Sequence, residues 1–269
     1  MANHTGFISG NVRPVGEPAI IIREGANGNW KMKKRIHVIS NYKHFLSTRK
    51  LLLSPNRELG LIRMLDRVEA VFPRKLIFHR HSFIDLKEED TFRAILNSDG
   101  VILSGSSLNL SSPKDRDKMN NEIQLVRELE VKNVPTLGIC FGHQLIALAF
   151  GARIAQMTGK RYNIEKEKEF SITFDEPFPL YKPSSPGNEL SMWVDSNHND
   201  EVIPTDEFNT KFNVYSRSGN PANVIQAIKH RSADMFGVQF HPESFTGNLR
   251  IHDDGFEIFH QFIQLILSR

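Results

Sequence analysis

Cys140 stands between two glycines in the run Thr136-Leu137-Gly138-Ile139-Cys140-Phe141-Gly142-His143-Gln144. An apolar stretch leads into it, and Leu145, Ile146, Leu148 and Ala149 lead out with the look of a helix. A lone cysteine by itself reads as a small buried hydrophobe. Gly-x-Cys-x-Gly between a strand and a helix reads otherwise: it is the sequence form of a nucleophile elbow, with Cys in the place of Ser. A nucleophile on so sharp a turn takes an unusual backbone conformation, and its neighbours come very close to the chain. Gly138 and Gly142 leave that room because they have no Cβ. The helix that follows favours the thiolate at its N-terminus. Such a nucleophile needs a base, and the base needs an orienting group. Gly237-Val238-Gln239-Phe240-His241-Pro242-Glu243-Ser244 offers both. Pro242 biases His241 towards an extended backbone, in which residues i and i+2 face one side. Glu243 then accepts a hydrogen bond from the far nitrogen of the His241 ring.

The elements that must position these groups follow from periodicity. Arg35 to Ser40 reads as the first core strand. Ser54-Pro55 reads as an N-cap with Pro at the first helical position. Leu61, Leu65, Val68 and Phe72 then recur at helical spacing. Leu76-Ile77-Phe78 is a second strand, and Gly100 to Leu103 a third that runs into the small-residue turn Ser104-Gly105-Ser106-Ser107. Met119, Ile123 and Val126 mark a helix before the elbow strand. Residues 223–228 and 236–240 form an antiparallel pair that delivers His241, and Phe259, Phe262, Ile263, Ile266 and Leu267 make a closing helix. Strands alternating with helices predict an α/β fold, doubly wound, with a mostly parallel sheet and helices on both faces. In such sheets the site lies at the carboxyl ends of the strands, where Gly105, Cys140 and His241 fall.

Other stretches read more plainly. Residues 1–33, rich in Gly, Asn and Pro, read as an arm with one added edge strand at Ala19 to Ile22. Residues 34–269 form the main domain. Lys31, Lys33, Lys34 and Arg35 read as a solvated surface turn, with phosphate binding as the alternative. The charge run Glu165 to Glu169 reads as a solvated face or hairpin. His79 and His81 stand i and i+2 with no carboxylate or Cys at ligand spacing, so no metal site is expected.

Composition sets the class. The chain has 269 residues with a formal charge of +3, too small a charge to argue for nucleic acid. A single Cys excludes an internal disulfide framework and fits a reducing compartment. No apolar stretch approaches the roughly 20 residues that span a bilayer, and the polar start lacks a signal-peptide core. A cytoplasmic protein without a cofactor is expected.

The elbow Gly-Ile-Cys-Phe-Gly-His-Gln and the later Phe-His-Pro-Glu together resemble the two signatures of class I, triad-type glutamine amidotransferases. Both are intact, in the family's order and a domain apart, and the resemblance covers Lys34 to Arg269. Trp193 to Val202 is similar to the Ser-His-Gly-Asp-x-Val stretch of GMP synthetase glutaminase domains. The resemblance implies a flavodoxin-like sheet and hydrolysis of L-glutamine, with Cys140, His241 and Glu243 as the triad. It implies an oxyanion hole made of the backbone N–H groups of Phe141 and Ser106. Gly105-Ser106 here stands where the family carries Gly-Gly. It implies substrate contacts from Gly105, Gln144, Asn197 and His198. For His198 and Asp200 a structural hydrogen bond is the alternative reading. Other cysteine-elbow proteins of this sheet type commonly place the base directly after the nucleophile, where this chain has Phe141. No Walker-type phosphate loop is present, so the ammonia is expected to serve a separate synthase subunit. Two alternatives stay open: a stand-alone γ-glutamyl hydrolase with the same triad, and a non-catalytic binding module.

Overall fold

The computed structural model describes residues 21–24, 29–42, 57–166, 168–183, 190–219, 223–245 and 249–269. The chain begins there with β1 (Ile21–Glu24) paired antiparallel to β2 (Asn29–Met32). These two form a sheet of their own, so the single strand expected at the edge of the main sheet is instead half of a hairpin. β3 (Lys34–Ser40) follows, then α1 (Arg57–Val71) and β4 (Leu76–Ser82). The expected cap at Ser54-Pro55 lies outside the described residues. Next come α2 (Glu89–Leu96), β5 (Gly100–Leu103), α3 (Asn120–Val131), β6 (Thr136–Ile139) and α4 (Phe141–Ala149). The second half holds β7 (Arg153–Gln156), α5 (Gly159–Glu165), β8 (Lys168–Phe174), β9 (Ser191–Ser196), β10 (Asp200–Ile203) and α6 (Asp206–Lys211). It closes with β11 (Phe212–Arg217), β12 (Ile225–His230), β13 (Met235–Val238) and α7 (Leu249–Leu267).

One sheet of nine strands runs in the order β4-β3-β5-β6-β13-β12-β11-β8-β9. The pairs from β4 across to β13 are parallel, and those from β13 across to β9 are antiparallel. Every residue of β5, β6 and β13 is buried. That is the sequence pattern of central strands covered on both faces. On one face α1 packs Met64, Leu65 and Val68, and α7 packs Ile258, Phe259 and Phe262, into one cluster with Ile36 and Val38 of β3. On the other face Ile95 of α2, Leu125 and Leu129 of α3, and Leu145 and Ile146 of α4 pack over Val101 and Leu103 of β5. Each such side chain removed from water contributes about 1.5–3 kcal/mol, so burial of one helical face holds these helices more than intrinsic propensity does. The α/β fold with helices on both faces is as expected.

Three expectations are corrected here. The second strand extends beyond Phe78 through Ser82, so His79 and His81 lie within it. His81 Nε2 lies 2.9 Å from His37 Nδ1, and the rings of His37 and His81 are stacked. Among the described residues no group of three or more His, Cys, Asp or Glu is placed to hold a metal ion. Lys34 joins the strand expected from Arg35 rather than a surface turn, and Asp99 takes both the Lys34 ammonium at 3.2 Å and the Arg35 backbone N–H at 2.8 Å. Glu165, expected on a solvated face, is fully buried. Its Oε2 accepts from Gln226 Nε2 at 3.1 Å and lies 3.4 Å from His198 Nε2.

Candidate active site

The elbow takes its shape from the change of direction between β6 and α4. Cys140 is the N-cap of α4, with φ 52° and ψ −97°. A positive φ on a residue with a Cβ is strained and persists only where the surroundings fix it. Here the Cys140 N–H donates to Val238 O at 2.8 Å, and its carbonyl accepts from the Gln144 N–H at 3.1 Å. The flanking glycines act through close approach. A Cβ on Gly142 would sit 2.4 Å from Leu103 O, and one on Gly138 would sit 2.6 Å from the Gly142 carbonyl oxygen. The first helical N–H, that of Phe141, belongs to the group of donors that a helix start leaves without an intrahelical acceptor.

The chain beyond the neighbouring strand carries the candidate base. β13 pairs parallel to β6 with Val238 opposite Ile139, so the chain beyond each strand emerges side by side. His241 Nδ1 lies 2.7 Å from Glu243 Oε1, with both side chains 3% exposed. An imidazole that gives its Nδ1 proton to a carboxylate presents Nε2 as the acceptor, the tautomer a thiol proton requires. The two residues converge as expected but by another route. They are not on an extended strand: the Ser244 N–H donates to His241 O at 3.1 Å, closing a turn over Pro242 and Glu243. Pro presets φ for the second position of such a turn. Two helices clamp this turn. A Cβ on Gly255 of α7 would lie 2.1 Å from Pro242 O, and one on Gly60 of α1 would lie 2.5 Å from Glu243 O. From the third side the His241 N–H donates to Asp195 O at 2.8 Å, and the Ser244 hydroxyl donates to the Asp195 carboxylate.

Gly105 meets this group directly, since a Cβ there would lie 3.1 Å from His241 Cε1 and 3.2 Å from the Tyr42 hydroxyl. Ser106 beside it is not among the residues with positive φ, so its Cβ brings no left-handed strain. Its hydroxyl donates to Asn41 O at 2.6 Å and accepts from the Leu108 N–H at 2.9 Å. The side chain thus fastens this turn.

Gln144, buried on α4, donates through Nε2 to Asp200 O at 2.8 Å and to Gln239 Oε1 at 3.1 Å. Gln239 Nε2 in turn lies 3.7 Å from Cys140 Sγ. His198 Nδ1 meets the same Asp200 carbonyl at 2.9 Å, which fixes Nδ1 as the protonated nitrogen. His198 therefore has the structural hydrogen bond that was its alternative reading. The Asp200 carboxylate is also structural: it accepts from the Ser111 N–H at 2.9 Å and the Ser111 hydroxyl at 2.7 Å. Asn197 Oδ1 is buried with no partner among the described residues. His143, one residue before Gln144, is no rival base, because burial pushes it down to about 3 and keeps it neutral. Sequence reading missed Gln239 and Glu165. Gln239 had one available signal, its position two residues before His241. Glu165 had none, because its partners lie at least 31 residues away.

Three kinds of similarity bear on this arrangement. A family model described as Glutamine amidotransferase class-I matches residues 61–257. The glutamine-hydrolysing GMP synthase subunit of Saccharolobus solfataricus is 35% identical over 165 residues, 61% of this chain and 75% of that protein. The corresponding protein of Methanococcus aeolicus is 30% identical over 177 residues, 65% of this chain and 78% of that protein. In fold, the glutaminase domain of Trypanosoma brucei CTPS with bound acivicin superposes with TM-score 0.67 at 13% identity, covering 88% of this chain and 95% of that one. A glutamine amidotransferase of Thermotoga maritima superposes with TM-score 0.57 at 15% identity, over 87% and 99% of the two chains. The matched segment contains the elbow and the His-Glu turn, and by it the chain belongs to the class I glutamine amidotransferases.

Proposed function

We propose that the protein hydrolyses the side-chain amide of L-glutamine through a γ-glutamyl thioester on Cys140, and that the ammonia serves a separate synthase subunit. The observation that carries the catalytic assignment is the 2.7 Å His241–Glu243 bond on the chain beyond β13, beside the Cys140 elbow. The Cys140 thiolate attacks the amide carbon, its proton having passed to His241 Nε2. The tetrahedral oxyanion accepts from the backbone N–H groups of Phe141 and Ser106, contacts of a kind worth about 3 kcal/mol each. His241 returns the proton to the departing nitrogen, the C–N bond breaks and ammonia leaves. Water, deprotonated by His241, then attacks the thioester carbonyl. Glutamate departs and the thiolate is regenerated. Glu243 holds the ring in one tautomer and stabilises the imidazolium.

In this reading the substrate's amino acid end lies along the backbone near Asn197 and His198, with Gly105 and Gln144 on the other side. The two relatives named above are glutamine-hydrolysing components of GMP synthase, which supports a GMP-forming synthase as the partner. The amidotransferase domain is taken to run from Lys34, since β3 is a central strand of the sheet. The cytoplasm is the proposed compartment, as a lone nucleophilic thiol requires reducing surroundings. Among the described residues no helix is long and apolar enough to cross a membrane.

The test is labelling with 6-diazo-5-oxo-norleucine, followed by intact mass. Rapid addition of one equivalent, blocked by glutamine and lost in Cys140→Ala and His241→Ala, is the expected result. Turnover of γ-glutamyl peptides without glutamine-blocked labelling would overturn it in favour of a γ-glutamyl hydrolase.

A further inference from the structure

We propose that Gln239 is a further catalytic residue: its side-chain amide donates to the Cys140 thiolate and holds the nucleophile in its attacking form. This rests on Cys140 as the nucleophile.

The donor's orientation follows from a backbone group. A carbonyl oxygen only accepts, so the Gln144 side chain must turn its nitrogen towards Asp200 O, 2.8 Å away. The second hydrogen of that nitrogen then faces Gln239, 3.1 Å off, which must present its oxygen. Gln239 is left with its NH2 group towards Cys140 Sγ at 3.7 Å. Flipping the Gln239 amide would set two donors against each other. The amide assignment, ordinarily ambiguous, is therefore settled by the Asp200 carbonyl at the end of the chain of bonds. Gln239 is fully buried, and its own backbone N–H is used on Gln226 O at 2.9 Å, so the position of the side chain is fixed too.

An N–H donor is a weak partner for a neutral thiol and a strong one for a thiolate, because hydrogen bonds to ionised groups are roughly twice as strong as neutral ones. The same donor is of little value to the neutral thioester sulfur, so it favours both the attacking thiolate and the sulfur as leaving group when water resolves the intermediate. The chain of bonds also joins the nucleophile to the 197–200 loop through Gln144.

The chain has one cysteine, so alkylation of the whole protein reports on this sulfur alone. Iodoacetamide alkylation is followed by intact mass across a pH series for wild type and Gln239→Met, which keeps length without a donor. The expected result is a rate at neutral pH lower by about tenfold, the scale of one charge-assisted hydrogen bond, with an unchanged plateau at alkaline pH. A profile that superimposes on wild type, or one lowered equally at every pH, overturns the proposal; the second outcome is what a packing or access role alone would give. If Gln239→Met fails to fold by circular dichroism, wild-type protein with 15N-labelled glutamine decides. The Gln239 side-chain NH2 resonance must shift as Cys140 titrates and stay still in Cys140→Ala. Alkylation needs no glutamine, so failure of the glutaminase reading would leave this readout intact.

Discussion

Glu243 meets His241 through one carboxylate oxygen, while its Oε2 is buried with no partner among the described residues. Gln at this position can present its carbonyl oxygen to the same ring nitrogen, so geometry survives and charge is lost. We therefore expect Glu243→Gln to lower kcat by about 10²–10⁴-fold, the range for losing effective general acid–base help, with KM for glutamine little changed. Steady-state ammonia release checks this, and equal kcat values for the two proteins would remove Glu243 from the triad. At this scale the sequence was most readable. Cys140, His241 and Glu243 each sit in a short motif whose glycines or proline carry a local steric meaning. Gln239 was not readable as a partner of sulfur, because its orientation depends on Gln144 and Asp200, distant in the chain. Glu165 was misread for a related reason. A glutamate in a run of charges looks solvated unless one knows that Gln226 and His198 close over it.

The elements around the His-Glu turn set its place without supplying chemistry. Gly255 of α7 lies where a Cβ would be 2.1 Å from Pro242 O, a backbone atom that cannot swing aside as a side chain would. Gly255→Ala is therefore expected to cost about 1–3 kcal/mol, the usual cost of overpacking, and to cut turnover by shifting His241. Urea unfolding and glutaminase rate together test this; unchanged values in both would mean that α7 gives way without moving the turn. Strand and helix order was legible from periodicity, since β5 and β13 carry no polar side chain, β6 has only Thr136, and α1 and α7 carry clean stripes. The hairpin of β1 and β2 was not, because a short strand's pairing partner is not written in its own residues. The backbone of the His-Glu turn was also misjudged. Pro242 permits both an extended chain and a turn, and the Ser244 hydrogen bond that decides between them is invisible in composition.

For the molecule as a whole, two kinds of buried titratable group pull stability in opposite directions with pH. His37 and His143 are each pushed down to about 3, chiefly by burial. Their contribution is complete above the unfolded value of about 6.5 and is lost as pH falls from there towards the folded value, because the unfolded chain takes up protons first. Glu122 is pushed up to about 8 by burial, which outweighs the lowering influence of the Asn41 side chain. Both oxygens of its carboxyl are buried with no hydrogen-bond partner among the described residues. Its contribution is complete below the unfolded value of about 4.3 and is lost as pH rises through 8. Glu122→Gln keeps the size and shape and removes the titration. Thermal unfolding at several pH values should show the stability lost by wild type between about pH 4.3 and 8 retained in this variant; an identical slope across that window would mean that Glu122 is ionised in the fold.

One junction in this molecule has a bearing on descent. The 197–200 loop and helix α4, which Cys140 caps, meet at the main-chain carbonyl of residue 200, which receives both Gln144 and His198. No side chain at that position takes part in the meeting. Selection on residue identity there acts on the carboxylate's tie to Ser111 and leaves the junction itself alone. An amide in place of the acid would weaken the tie to Ser111 and still leave this acceptor where it is.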